Sequence, residues 1–202
     1  VIFSQNWIEQ EWADPEYSQY KKENFTAVDA YLNFKPLTIL DIGCGLAWES
    51  RLFNMKYGTE LWLIDGDQAD NKDIPAADGG WHPDPENFLY YYPLSTLDAE
   101  LKKRGTGNYH LIDCNNINIP SDKKFDLITS WLSCGFHYPI STYQELIKKH
   151  SHENTRLIFD IRINYKTKKP RVDHSFEIVA EIQKENRLLK SWKHMTAEIK
   201  IK

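Results

Sequence analysis

The sequence predicts an α/β domain: a three-layer sandwich with a mostly parallel sheet and helices on both faces. Three observations carry this. Five short apolar runs alternate with segments of helical spacing, a glycine-rich turn joins the first run to the helix after it, and the last residues alternate at period two. A length of 202 residues suits one domain with a sizeable core, and 41 % hydrophobic against 27 % charged residues is too apolar for disorder.

Taken in order, WIEQEWADPEYSQYKKENFTAVDAYLNF (7–34) reads as helical segments broken by a turn at Asp14 and Pro15, within a helical N-terminal region over 1–34. LTILDI (37–42) is a short buried strand entering the glycine turn. AWESRLFNMKY (47–57) has helical spacing, with Leu52 and Met55 or Lys56 on one face and Gly58 as its stop. LWLID (61–65) is a second buried strand ending in an acid. Residues 66–94 are acidic, punctuated by Pro and Gly and aromatic at their end. That is too long for an ordinary connection and reads as an insertion, or lid, over a site.

STLDAELKKRG (95–105) is a helix with Ser95 or Thr96 as N-cap and glycine after it. YHLIDC (109–114) and FDLITSWL (125–132) are the third and fourth strands. ISTYQELIKKHS (140–151) is a helix capped by Ser141, and TRLIFDIR (155–162) is the fifth strand. SFEIVAEIQKEN (175–186) has helical periodicity, and RLLKSWKHMTAEIKIK (187–202) reads as two strands joined by a turn.

Composition narrows the function classes. No apolar run approaches a bilayer-spanning length, and the start VIFSQNWIEQEW has no basic n-region, so neither a membrane span nor a signal peptide is expected. Cys44, Cys114 and Cys134 form no C-x-x-C pair, which fits a reducing cytoplasm rather than a disulfide framework or zinc ribbon. The net charge of -4 disfavours non-specific nucleic-acid binding. It is unevenly spread: residues 1–100 hold 18 acids and 6 Lys/Arg, residues 101–202 hold 11 acids and 19 Lys/Arg. A basic face built by the second half stays open. The acids Asp67, Asp70, Asp73 and Asp78 do not match calcium-loop spacing, and no metal site is expected.

In open parallel sheets ligands bind beyond the carboxyl ends of the strands, so the tips at 41–47, 65–67, 113–115 and 130–138 are the places to inspect. Gly43 and Gly45 allow a tight turn and close approach by a ligand. The dinucleotide fingerprint lacks its third glycine, with Trp48 at that position, and no G-K-[ST] follows to make a P-loop. Asp41, directly before the turn, would repel a pyrophosphate seated there but not a ligand with a cationic end. S-adenosylmethionine (SAM) has that character, with an ammonium, a carboxylate and a sulfonium. Asp65 is placed to accept from two ribose hydroxyls, a role shared with nicotinamide-dinucleotide proteins, and Asp113 from an adenine amino group. The bland reading of the same residues is a plain strand–helix turn and two helix caps.

With these residues in view, the sequence resembles a class I SAM-dependent methyltransferase over nearly everything after residue 30. LDIGCG resembles the first motif, LWLIDGD the acidic second-strand motif, LIDCNNINIP the third, and FDLITSW the strand leading to the transfer site. The resemblance implies a seven-stranded sheet in the order 3-2-1-4-5-7-6 with the last strand antiparallel. It implies SAM as cofactor, with Asp41, Gly43, Cys44 and Gly45 at the methionine part and Asp65 with Gly66 at the ribose. Asp113 and Cys114 fall at the adenine, and the backbone near Ser130 and Trp131 borders the sulfonium. Ala47 stands where the first motif usually has its third glycine.

Methyl transfer from a sulfonium needs alignment and a dry site, and a hydroxyl acceptor also needs a general base. The acceptor is expected beyond the fourth strand, at SCGFHYP (133–139). There His137 has the right pKa range for a base and Tyr138 can orient a substrate. Packing under the following helix is the competing reading for both, and His82 is a weaker candidate base. The run SWLSCGFHYP has neither the Asn/Asp-Pro-Pro-aromatic sequence of base-amine methylating members nor the Pro-Cys of C5-cytosine ones. A small-molecule acceptor, on oxygen, is therefore the leading expectation, with Trp81, Phe88, Tyr90, Tyr91 and Tyr92 as lid walls or as the lid's own core. A catalytically silent partner protein of the same fold and a nicotinamide-dependent oxidoreductase are the alternatives. The oligomeric state is not legible in the sequence.

Overall fold

The computed structural model describes residues 15–66, 94–164, 166–189 and 192–202. The expectations for residues 1–14 and for nearly all of the 66–94 insertion, its acids, His82 and its aromatics included, lie outside those residues. The first described helix, α1 (Pro15–Tyr31), opens on Pro15, where a missing N–H costs nothing and φ is already helical. Then come β1 (Thr38–Ile42), α2 (Trp48–Tyr57), β2 (Glu60–Asp65), α3 (Leu94–Lys103), β3 (Tyr109–Asp113) and β4 (Leu127–Ser130). A 3-10 turn (Ile140–Tyr143) leads into α4 (Gln144–His150). The chain closes with β5 (Arg156–Arg162), β6 (Phe176–Leu189) and β7 (Trp192–Ile201).

All seven strands form one sheet in the order β3-β2-β1-β4-β5-β7-β6. Pairs from β3 to β5 are parallel, while β7 runs antiparallel to both β5 and β6. The order and its antiparallel close are those that the resemblance implies.

Period-two alternation divides the buried side chains between two faces. Ile39, Leu61, Leu63, Leu127 and Ile158 pack with Val28 and Leu32, Phe53, and Leu97 and Leu101, so α1, α2 and α3 cover that face. Leu40, Ile42, Ile64, Ile128, Phe159 and Ile199 pack on the other with Ile140 and Ile147, so α4 and its 3-10 lead-in cover it, helped by Ile119 and Phe125 from the β3–β4 connection. The two faces thus carry three helices and one among the described residues.

Four expectations need correction. The segment 175–186 is strand, not helix. Register shifts between Ile178 and Ala180 and between Glu181 and Gln183 insert extra residues. Ile178 therefore packs on the α4 face and Ile182 on the α1 face, a four-residue spacing that imitates a helix in the sequence. In α2 the buried side is Glu49, Ser50, Phe53 and Asn54, while Met55 is exposed. Helix α3 begins at Leu94, which leaves Ser95 and Thr96 inside its first turn rather than capping it. Ser141 lies within the 3-10 turn, whose cap position is Pro139, and its own N–H donates to Asp173 Oδ2 at 2.8 Å. Gly58 does stop α2 as expected: at φ +71° its N–H donates to Asn54 O at 2.8 Å.

Candidate functional site

The turn after β1 is left-handed at every second residue: Gly43, Gly45 and Ala47 have φ of +68°, +54° and +51°. Two of these positions are glycines, which reach that region without a Cβ penalty, and Ala47 is strained there. The turn is pinned to β2, because the N–H groups of Gly43 and Cys44 both donate to Ile64 O, at 2.8 and 3.0 Å.

Asp65 completes the clamp. Its Oδ2 accepts from the Gly45 N–H at 2.6 Å and its Oδ1 from the Gly66 N–H at 2.7 Å. One buried carboxylate thereby fixes the two tips against each other. Burial pushes its pKa up to about 6, with the two backbone amides pulling the other way. Each oxygen keeps a further lone pair for a ligand hydroxyl.

The neighbouring tip is similar in kind. Asp113 is the register partner of Asp65, and its Oδ1 accepts from the N–H and the side-chain amide of Asn115, at 2.9 and 3.1 Å. Cys114 donates its N–H to Asp65 O at 2.8 Å. Burial raises its thiol to about 11, and Cys44 is pushed well above its ordinary range for the same reason, so both are neutral packing groups at neutral pH.

Asp41 is placed differently from the expectation. Its carboxyl lies fully buried on the α1 face under α2, accepting from Ser50 Oγ at 2.5 Å, rather than standing on the rim of the turn. Repulsion of a diphosphate from the rim is therefore not its effect. Burial raises its pKa to about 7. Its register neighbour on β4 is Thr129, whose hydroxyl, like that of Ser50, favours the ionised carboxyl.

Asp41 belongs to a buried polar group that the sequence does not reveal. Lys21 of α1 bonds Glu49 of α2 at 2.9 Å, and Asn24 donates to the same carboxylate at 3.3 Å. Tyr20 Oη shares a 2.7 Å bond with His194 Nε2, and burial lowers the pKa of His194 to about 4. Asp160 of β5 accepts from Thr196 Oγ1 at 2.6 Å and, through its other oxygen, from the Leu132 N–H at 3.1 Å. That second bond holds Leu132 at φ +51° and turns the chain out of β4.

The 133–138 loop then folds back over the glycine turn. Ser130 is buried and structural. Its hydroxyl donates to Ile42 O at 2.6 Å and accepts from the Cys134 N–H at 2.8 Å, tying β1 to the loop. Trp131 is buried on the α1 face, with an indole N–H that has no acceptor. Ser133 Oγ and Tyr138 Oη lie 2.9 Å apart, directly against Gly43. A Cβ on Gly43 would fall 1.9 Å from Ser133 Oγ, so this glycine is required by protein packing. A Cβ on Gly45 would meet nothing within 4 Å, and here the turn is open.

Of the two acceptor-side candidates, Tyr138 reaches the glycine turn. His137 lies edge-on to Phe136 with ring centroids 4.9 Å apart, and Phe136 packs in turn against His194 at 5.6 Å. Ser133 was within the expected 133–139 segment. Lys21, Glu49, Asp160 and His194 carried no signal, because each sits in a stretch that reads as ordinary amphipathic helix or strand. Among the described residues no cluster of His, Cys, Asp and Glu is suited to a metal ion, and no helix is long and apolar enough to cross a membrane.

No protein-family model matches the sequence, and no curated protein matches it. Solved structures do match. A ribosomal protein L11 methylase from Lactobacillus delbrueckii subsp. bulgaricus is 16 % identical with a TM-score of 0.53, over 94 % of this chain and 81 % of that one. An S-adenosylmethionine-dependent methyltransferase from Clostridium acetobutylicum is 16 % identical with a TM-score of 0.51, over 96 % of both chains. A variant of MtNAS in complex with S-adenosylmethionine is 12 % identical with a TM-score of 0.59, over 98 % of this chain and 67 % of that one. At such identities a likeness speaks for the fold. Sheet order, antiparallel closing strand and these neighbours together give the chain the Rossmann-like fold of the class I SAM-dependent methyltransferases.

Proposed function

We propose that this chain binds SAM across the tips of β1, β2 and β3 and transfers its methyl group to a small-molecule acceptor held near the 133–138 loop. The observation that carries the reading is the Asp65 clamp. A buried carboxylate at the second strand tip holds the open Gly45 turn and keeps lone pairs for two vicinal hydroxyls. The residues fit the adenine end as well: Asp113 suits its amino group.

When bound, SAM supplies an already activated methyl group. The chain's own work is alignment and exclusion of water. Ser133 and Tyr138 wall the acceptor side of the glycine turn, with the Tyr138 phenol kept protonated by burial and able to donate. His137 is the residue proposed to take the acceptor's proton where that acceptor is a hydroxyl.

A labelled-methyl assay over a panel of hydroxylated metabolites tests the reading. Turnover with wild type, lost in His137→Ala while SAM affinity stays within about twofold, is the expected result; a factor of two is under half a kcal/mol. Turnover retained by His137→Ala removes the base role. SAM binding without turnover on any acceptor favours a catalytically silent partner protein.

A further inference from the structure

We propose that Asp160 is the residue by which the cofactor site distinguishes the cationic methyl donor from its neutral product, acting as a fixed negative charge beneath the turn out of β4. The proposal rests on the methyltransferase reading above. Transfer of the methyl group breaks the S–CH3 bond and leaves its electron pair on sulfur. The sulfonium becomes a neutral thioether, and the positive charge passes to the acceptor and departs with its proton. A buried charge near the sulfur therefore holds the donor and has no such hold on the product, which favours exchange of one for the other after turnover.

Asp160 is fully buried near the carboxyl end of β5, the edge that binds ligands in this architecture. Its Oδ2 accepts from the Leu132 N–H at 3.1 Å, two residues beyond Ser130. Its backbone O would lie 3.0 Å from a Cβ on Gly135, which has φ +92°. The chain leaving β4 thus rests directly on this residue, and it leads to Ser133 and Tyr138 against the glycine turn. The carboxyl also accepts from Thr196 Oγ1 at 2.6 Å and from the Tyr20 hydroxyl.

The charge is not cancelled where it lies. Lys21 of α1 faces Asp160, but its ammonium bonds Glu49 of α2 at 2.9 Å, and Glu49 and Asp160 repel each other. Seen from Asp160 that pair is close to neutral. Two further titratable groups, Tyr20 and His194, stand beside it, joined by their 2.7 Å bond, and both are uncharged at neutral pH. Burial holds the Tyr20 phenol well above its ordinary range and lowers His194 of β7 to about 4. Asp41 of β1, where it ionises, adds the same sign as Asp160, and its charge reaches Cys44 in the glycine turn. Burial raises Asp160 to about 6, with Thr196, Lys21, Leu132 and Tyr20 opposing, so the group is a carboxylate above neutral pH. Water and salt screen a buried charge far less than a surface one. Its field extends to the backbone at Ser130 and Trp131, where the sulfonium is expected.

The test is calorimetric titration of the full chain at pH 8 with three ligands: SAM, S-adenosylhomocysteine, and sinefungin, in which a protonated amine on carbon replaces the sulfonium. Asp160→Asn removes the charge at constant shape. The amide oxygen can accept from the Leu132 N–H, and its NH2 can donate to Thr196 Oγ1. The variant should weaken SAM and sinefungin by about fivefold or more relative to S-adenosylhomocysteine, the effect of a unit charge several ångström away at an effective dielectric constant of about 20. A merely structural role would weaken all three ligands together. Glu145→Gln removes the same charge from an exposed position and should change the ratio by less than about twofold. Should Asp160→Asn fail to fold by circular dichroism, Lys21→Gln keeps the carboxylate and removes the cation that faces it, and the preference for SAM over S-adenosylhomocysteine should rise. Equal losses for the three ligands in Asp160→Asn, or an unchanged or lower preference in Lys21→Gln, overturn the proposal and leave the methyltransferase reading standing. No binding of any of the three removes that reading and this proposal with it.

Discussion

Replacing Asp41 by Asn is expected to make the protein more stable at alkaline pH. The carboxyl is wholly buried, and its pKa rises from 3.8 to about 7, chiefly through desolvation, with Glu49 adding repulsion and Ser50, Thr129 and Lys21 opposing. A folded pKa above the unfolded one means that the group's stability is intact below about pH 4 and is lost as pH rises through about 7. The shift of about three pKa units caps the cost of the buried charge near 4 kcal/mol once it is fully ionised. An amide at this position still accepts from Ser50. Urea unfolding should therefore show Asp41→Asn ahead of wild type by roughly 2–4 kcal/mol at pH 8 and level with it near pH 4, with m unchanged. A variant equally stable or less stable at both pH values would refute the reasoning, since the charge would then not be the source of the cost.

Other outcomes follow from the same geometry. Gly43→Ala puts a methyl 1.9 Å from Ser133 Oγ and should destabilise the fold by at least about 2 kcal/mol in thermal or urea unfolding. Gly45→Ala meets no protein atom within 4 Å, so it should cost only about 1 kcal/mol of left-handed strain yet weaken SAM binding, as measured by calorimetry. Lys21→Met leaves Glu49 buried without its cation and should cost about 3–5 kcal/mol in urea unfolding at neutral pH. SAM affinity should fall as pH drops through about 6, because hydroxyls bond the ionised form of Asp65; at one unit below, about a tenth of the carboxylate is ionised and Kd should rise about tenfold.

The parts of this molecule that were legible in the sequence are those set by local chemistry. The buried strands at 37–42 and 61–65 announce themselves by apolar runs between turn residues, and Gly58 by the need for a positive φ. The tip acids Asp65 and Asp113 are visible because each ends an apolar run. What was hidden depends on partners far away in the chain. Nothing near Tyr20 points to His194, 174 residues on, and Lys21 in KKEN looks like a solvated charge until Glu49 is found beneath it. The strand at 176–189 was hidden for a geometric reason: its bulges break the two-residue period by which a strand is read.

The most direct measurement is a calorimetric titration of wild type and Asp65→Ala with SAM, S-adenosylhomocysteine and NAD. The expected result is one site per chain for the two adenosyl compounds, abolished or severely weakened in Asp65→Ala, and no heat with NAD. NAD binding to wild type with SAM ignored, or SAM binding undiminished in Asp65→Ala, would contradict the account.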